Sequence, residues 1–188
     1  RLPEQEQFNV LREELAELED HDVVLARSIR QSGKFVAGFT YGSYTQVPRK
    51  PALLRQILIK PEDRDVFLRH ARPFTKAATF LPVLQDSSAG NGSFMANPDT
   101  DGILRNAGMI FSNGKVLYPS LSLAAVRVAE SDKRYFIKIS PNPERSSKLF
   151  ATDYEIILGE RIIPMEKDGL FRVYYRKFDE KGEDYISA

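Results

Sequence analysis

A chain of 188 residues with 42% hydrophobic side chains, 12 Phe and 8 Tyr has enough apolar mass for a packed core and is not an intrinsically disordered segment. Its 27 Lys and Arg against 26 Asp and Glu leave a net charge of +1, which disfavours a polycationic coat for nucleic acid or for an anionic membrane surface. The absence of cysteine removes disulfides, thiolate zinc sites and cysteine nucleophiles, and with only His21 and His70 available there is no HExxH zinc site.

No apolar run approaches the ~20 residues needed to span a bilayer, and Arg1-Leu2-Pro3-Glu4 is not a signal peptide. A cytoplasmic location, or a place in an assembled complex, is therefore expected. Whatever chemistry the chain performs must run on carboxylates, Arg, Ser and Tyr.

Residues 4 to about 30 read as helix, because Phe8, Leu11, Leu15 and Leu18 recur at spacings of three and four and stack on one stripe. Val23, Val24, Leu25 and Ile29 continue an apolar face after the charged step Glu19-Asp20-His21-Asp22. Gln31-Ser32-Gly33 then stops the helix. From Lys34 to Tyr44 aromatic and β-branched residues alternate with small ones, a strand pattern, and Pro48 and Pro51 break it. Ala52 to Ile59 is either a short helix or a buried strand. Pro61-Glu62-Asp63 is a helix-start signal, so Asp65 to Ala71 reads as a second helix.

Pro73 and Pro82 bracket a short apolar run, and residues 85 to 102, rich in Ser, Gly, Asn and Asp, read as a long loop. Beyond it the pattern turns to strands. Ile103 to Phe111 and Val116 to Tyr118 flank Ser112-Asn113-Gly114-Lys115, a hairpin signal, since Asn-Gly accepts the positive φ of a type I′ turn. Tyr135 to Ile139, Tyr154 to Ile163 and Leu170 to Phe178 follow as strands, the last two parted by the turn-like Glu166-Lys167-Asp168-Gly169.

The expected fold class is α+β: a helical N-terminal third followed by a mainly antiparallel β-rich half. A single domain over residues 1 to 188 is expected, made of an amphipathic helical segment (1 to 33), an α+β core (34 to 178) and a polar tail (179 to 188).

Two constellations bear on chemistry. Asn97-Pro98-Asp99-Thr100-Asp101-Gly102-Ile103-Leu104 fits the first eight positions of an EF-hand calcium loop, but position twelve is Gly108 instead of a bidentate Glu. A plain Asp/Gly turn is the favoured reading, and no metal site is assigned.

The second runs from Val66-Phe67-Leu68-Arg69 through Tyr118-Pro119-Ser120-Leu121-Ser122-Leu123 to Gly159-Glu160-Arg161-Ile162-Ile163-Pro164 and Leu170-Phe171-Arg172-Val173. This order resembles the Arg…Ser-x-Ser…Glu layout of mono-ADP-ribosyltransferases, over roughly residues 41 to 178, discontinuously. The resemblance implies NAD as cofactor, Arg69 on its diphosphate, Ser120 or Ser122 ordering the site, and Glu160 on the nicotinamide ribose. A carboxylate placed there would stabilise oxocarbenium charge that develops only in the transition state. Glu155, in Asp153-Tyr154-Glu155, is the rival catalytic carboxylate. The sequence departs from the family at His70, where Gly is usual, at Leu121, where Thr is usual, and at Leu158, where arginine-specific members carry a second Glu.

Each of these residues also has an ordinary place: Arg69 at the surface, the serines in a strand or turn, and the glutamates on the outward side of a strand. The alternative function is a non-catalytic protein-interaction or assembly subunit, such as a virion, secretion-machine or complex component. Its support is the Phe- and Tyr-bearing β half and a Leu stripe suited to packing on a protein partner. On this reading no cofactor is needed, and the oligomeric state is left open.

Overall fold

The computed structural model describes residues 9, 19–41, 51, 57–96, 98–130, 137–141, 154–166 and 168–175. The Leu stripe of the first helix, the segment after Tyr41 and the polar tail lie outside them.

Helix α1, His21–Ser32, begins where the Asp20 carboxylate accepts the Asp22 N–H at 2.8 Å, and it ends at Gly33, whose φ of 62° only glycine adopts without cost. Its stop is the expected one, whereas its start at His21, after the non-helical Glu19 and Asp20, departs from the continuous helix expected over residues 4 to about 30. Of the expected apolar face only Ile29 is buried. Val23 and Leu25 are exposed, and the buried pair is Ala26 and Ile29, which pack with Leu84. Strand β1, Val36–Tyr41, follows as the pattern requires, and β2, Ile57–Ile59, resolves the helix-or-strand ambiguity at its C-terminal end in favour of strand. Helix α2, Pro61–His70, starts at the proline, with Glu62 and Asp63 in the first turn and Arg69 and His70 in the last. Both charge signs therefore match the helix dipole.

Residues 72 to 93 differ most from expectation. Two short strands, β3 (Arg72–Pro73) and β4 (Ala77–Ala78), precede helix α3, Pro82–Ser87, which again has its proline at the start. The expected long loop then holds strand β5, Gly90–Ser93, with all four residues buried. Its composition resembles a loop because the positions of Gly90 and Gly92 are too crowded for a side chain.

Within residues 97–108, Asp99 to Ile103 form a turn, as favoured. The Gly102 N–H donates to the Asp99 carbonyl at 2.8 Å, and Arg105 bonds both the Asp99 and Asp101 carboxylates at 2.7–3.0 Å, so those oxygens are engaged by a cation of the chain itself.

The single strand expected over residues 103 to 111 is two, β6 (Asn106–Gly108) and β7 (Ile110–Ser112), because the Met109 and Ile110 N–H groups both donate to the Gly169 carbonyl. β7 does form a hairpin with β8, Leu117–Pro119, around the Asn-Gly turn, but Ser112 pairs with Leu117, so the loop has four residues. The Asn113 side chain holds it by accepting the Lys115 and Val116 N–H groups, in place of a two-residue type I′ turn.

A helix then appears in the half expected to be strands: α4, Leu121–Ala129, capped by the Ser120 hydroxyl accepting the Leu123 N–H at 3.2 Å. After β9 (Ile137–Pro141), the strand expected from Tyr154 to Ile163 folds back on itself as β10 (Tyr154–Leu158) and β11 (Arg161–Met165). Gly159, at φ 59°, makes the reversal, and Glu160 sits in the turn. β12, Leu170–Arg172, completes the described elements after the expected turn, where Gly169 has φ 80°.

The strands pair in the orders β4-β1-β5, β11-β10-β9-β2, β12-β6 and β3-β7-β8. Local hairpins are antiparallel, whereas β1–β5, β2–β9 and β3–β7 are parallel and bring together segments distant in sequence. The architecture is α+β in outline, with helices distributed along the chain.

Three apolar clusters hold it. Phe67, Ile110, Leu123, Ile156, Leu158 and Met165 tie α2 and α4 to the β10–β11 hairpin, with Tyr154 edge-on to Phe67 at 4.7 Å. Phe39, Phe74, Phe111 and Tyr118, with Tyr41 against them, form an aromatic cluster whose neighbouring ring centroids lie 5.5–5.8 Å apart. Each fully buried Phe contributes roughly 1.5–3 kcal/mol. Ala26, Ile29 and Leu84 form the third cluster, which joins α1 to α3.

Candidate functional site

Strand β5 positions everything that follows. Alternate residues of a strand face opposite sides, and the glycines of Gly90-Asn91-Gly92-Ser93 face α4. A β-carbon on Gly92 would stand 2.5 Å from the Ser120 carbonyl oxygen, and one on Gly90 would meet Val128 at 3.1 Å and the Arg127 guanidinium at 3.4 Å. The two glycines let α4 lie directly on the strand, and a parallel bridge between Ser93 and Ser120 joins the two at the start of the helix.

A cavity opens at each end of this contact. The smaller, about 300 Å³, lies at the N-terminal end of α4 and is walled by Phe94, Met95, Leu104 and Leu121, with Ser93, Ser120 and Ser122 as its hydroxyls. Ser120 and Ser122 are 3.1 Å apart through their oxygens. The larger, a cleft of about 630 Å³, lies at the C-terminal ends of α1, α3 and α4. Its cations are Arg30, Lys34 and Arg127, its hydroxyls Ser32, Ser87 and Ser88, and none of its lining residues is acidic.

The helix ends in this cleft have their carbonyls satisfied internally. Ser32 donates to the Ile29 carbonyl, Ser87 to Val83 and Ser88 to Leu84, each at 2.8 Å. Arg30 donates to the Ser87 hydroxyl at 3.2 Å, and Arg127 to the Ala89 carbonyl. Among the described residues no carboxylate pairs with any of the three cations. Arg127 is half-buried, its Nε has no acceptor, and burial lowers its pKa from the usual guanidinium value.

The residues expected from the sequence are scattered. Ser120 and Ser122 line the smaller cavity. Arg69 is exposed on α2 with its Nε donating to the Asp65 carbonyl of its own helix, Glu155 is half-buried in β10, and Glu160 is exposed in the β10–β11 turn. None of these three lines either cavity. Arg30, Lys34 and Arg127 were not singled out, yet Arg127 carries a legible signal: it is the one charged residue in Leu-Ser-Leu-Ala-Ala-Val-Arg-Val-Ala.

Comparison with curated proteins and with solved structures gives no match. The model of the CHASE2 domain, a sensory domain typical of signalling proteins, matches residues 3–188. This overturns the mono-ADP-ribosyltransferase resemblance and, with it, NAD as the implied cofactor. Four matched positions spread along a chain rich in Arg, Ser and Glu specify little, whereas this match extends over almost every residue. By that span the chain belongs to the CHASE2 domain family.

Proposed function

We propose that the chain is the sensory input module of a signalling protein, a single non-catalytic unit that binds a small molecule and hands its bound state to a protein partner. The family match over residues 3–188 supports this reading, and it favours the interaction-protein alternative over an enzyme. CHASE2 domains are extracellular or periplasmic, and we place this chain there in preference to the cytoplasm. No helix among the described residues is long and apolar enough to cross a membrane.

The build suits the role. Two cavities flank the α4–β5 contact, and α1 is joined to α3 by a small cluster separate from the two larger ones, so ligand contacts at α1 act on a thinly attached element. Val23 and Leu25 of α1 remain exposed, the kind of apolar surface a protein partner covers.

Thermal unfolding of the chain in the presence of sugars, amino acids, organic acids and inorganic phosphate tests the reading. A ligand of the folded state at a hundred times its Kd stabilises by about 2.7 kcal/mol, or roughly 5–10 °C for a chain of this size. One chemical class should raise Tm in a saturable way. A Tm indifferent to every class would count against ligand sensing.

A further inference from the structure

We infer that the cleft between the C-terminal ends of α1, α3 and α4 is a binding site for a small oxyanion, a phosphate- or carboxylate-bearing molecule, held by Arg30, Lys34 and Arg127. The inference deepens the sensory reading and rests on it.

Cations at helix C-termini have an ordinary role, since they complement the negative end of the helix dipole. Arg30 sits in the last turn of α1 and Arg127 in the last turn of α4, so that role accounts for one cation per helix end. It does not account for their convergence. Three positive side chains from two helices and the residue after Gly33 border one cleft of about 630 Å³ without a carboxylate among its lining residues. Arg27, Arg105 and Arg161, by contrast, each sit against a carboxylate: Glu19, Asp99 with Asp101, and Glu130.

Arg127 carries the argument furthest. A half-buried guanidinium without a counter-charge is costly, and Gly90 has no side chain where one would crowd it. Its hydrogen bond to the Ala89 carbonyl anchors it at the β5 end of the cleft, and no carboxylate among the described residues compensates its charge. An oxyanion in the cleft supplies that charge in a site where water screens it less than at the surface. Arg30 and the exposed Lys34 approach from the α1 side, so the same anion links α1 to α4. Two guanidinium groups and one ammonium favour an anion with two or more negative charges.

The experiment is thermal unfolding of the full chain titrated with inorganic phosphate and, separately, with citrate, against sodium chloride at matched ionic strength. The expected result is a saturable rise in Tm with phosphate, citrate or both, absent with chloride. A response to phosphate alone assigns a phosphate ligand, and a response to citrate alone assigns a carboxylate. Arg127→Gln and Lys34→Gln should each weaken the response about tenfold or more. Lys34 is exposed and pairs with no carboxylate among the described residues, so its variant keeps the test valid should Arg127→Gln fail to fold.

A response to phosphate and citrate no different from chloride overturns the site, as does a response unchanged in Lys34→Gln. If a neutral compound stabilises the chain and the oxyanions do not, the site is wrong and the sensory reading stands. If nothing stabilises it, both fall.

Discussion

Gly92 and Ser120 approach so closely that no side chain fits between them: a β-carbon on Gly92 would lie 2.5 Å from the Ser120 carbonyl oxygen and 2.6 Å from the Leu121 nitrogen. The contact is backbone on backbone, so no rotamer change relieves an intrusion. It seats α4 on β5 and thereby fixes the walls of both cavities.

Gly92→Ala should therefore destabilise the fold by about 1–3 kcal/mol or more, the range of overpacking substitutions in which the backbone must move. Gly38→Ala provides the comparison. Its β-carbon would meet the ring of Phe94 at 2.9 Å, but that ring is 56% exposed and swings aside. Urea unfolding of the two variants should give a clearly lower midpoint for Gly92→Ala, and equal midpoints would refute the packing argument.

Ser120→Ala removes the hydroxyl that accepts the Leu123 N–H at the start of α4. The expected loss is about 1 kcal/mol, the usual cost of an N-cap. The urea midpoint should fall with the m value unchanged, since the same surface is exposed on unfolding.

Phe39 is fully buried and touches Phe74 and Tyr118 at centroid distances of 5.5 and 5.6 Å. Phe39→Ala should cost about 3–5 kcal/mol through the lost burial and the cavity left behind. Near-ultraviolet circular dichroism, sensitive to the packing of Tyr118, reports the same loss. Phe39→Leu, which refills most of the space, should recover a large part of the stability.

Burial raises the Glu166 carboxyl above its ordinary range, assisted by Asp168 and opposed by Arg172. The folded chain then holds this proton more tightly than the unfolded chain, so stability falls as pH rises from the ordinary carboxylate value through the raised one. Glu166→Gln should be the more stable form at neutral pH, and the advantage should vanish in acid, where the wild-type carboxyl is protonated in both states. Tm measured against pH for the two proteins checks it; curves that stay parallel throughout would show that Glu166 contributes no such linkage.

Much of the local structure is readable in the residues themselves. Gly33 ends α1, Pro61-Glu62-Asp63 starts α2, and Asn113-Gly114 and Asp168-Gly169 lie in the turns their chemistry demands, because caps and turns depend on a few adjacent groups. The Asp20 cap of α1, however, falls inside a segment whose periodicity reads as one helix from residue 4. Composition also restricted the chemistry to oxygen- and nitrogen-bearing side chains. Where the outcome depended on distant partners, local pattern misled. Gly90-Asn91-Gly92-Ser93 has the composition of a loop and is a buried strand, because α4 leaves its glycine face no room. Leu121–Ala129 lies among strands and is a helix, capped by a serine first read as part of a catalytic motif.

The site shows the same division. Arg127 lies far along the chain from the neighbouring Arg30 and Lys34, and nothing in the sequence around it announces that it meets them. Their convergence follows from the parallel pairing of β1 with β5 and the seating of α4 on two glycines, contacts that exist only once the chain is folded. Sequence determined which side chains were available and where helices and turns could begin and end; tertiary packing alone decided which charges would share a cleft, because that depends on distances across the fold.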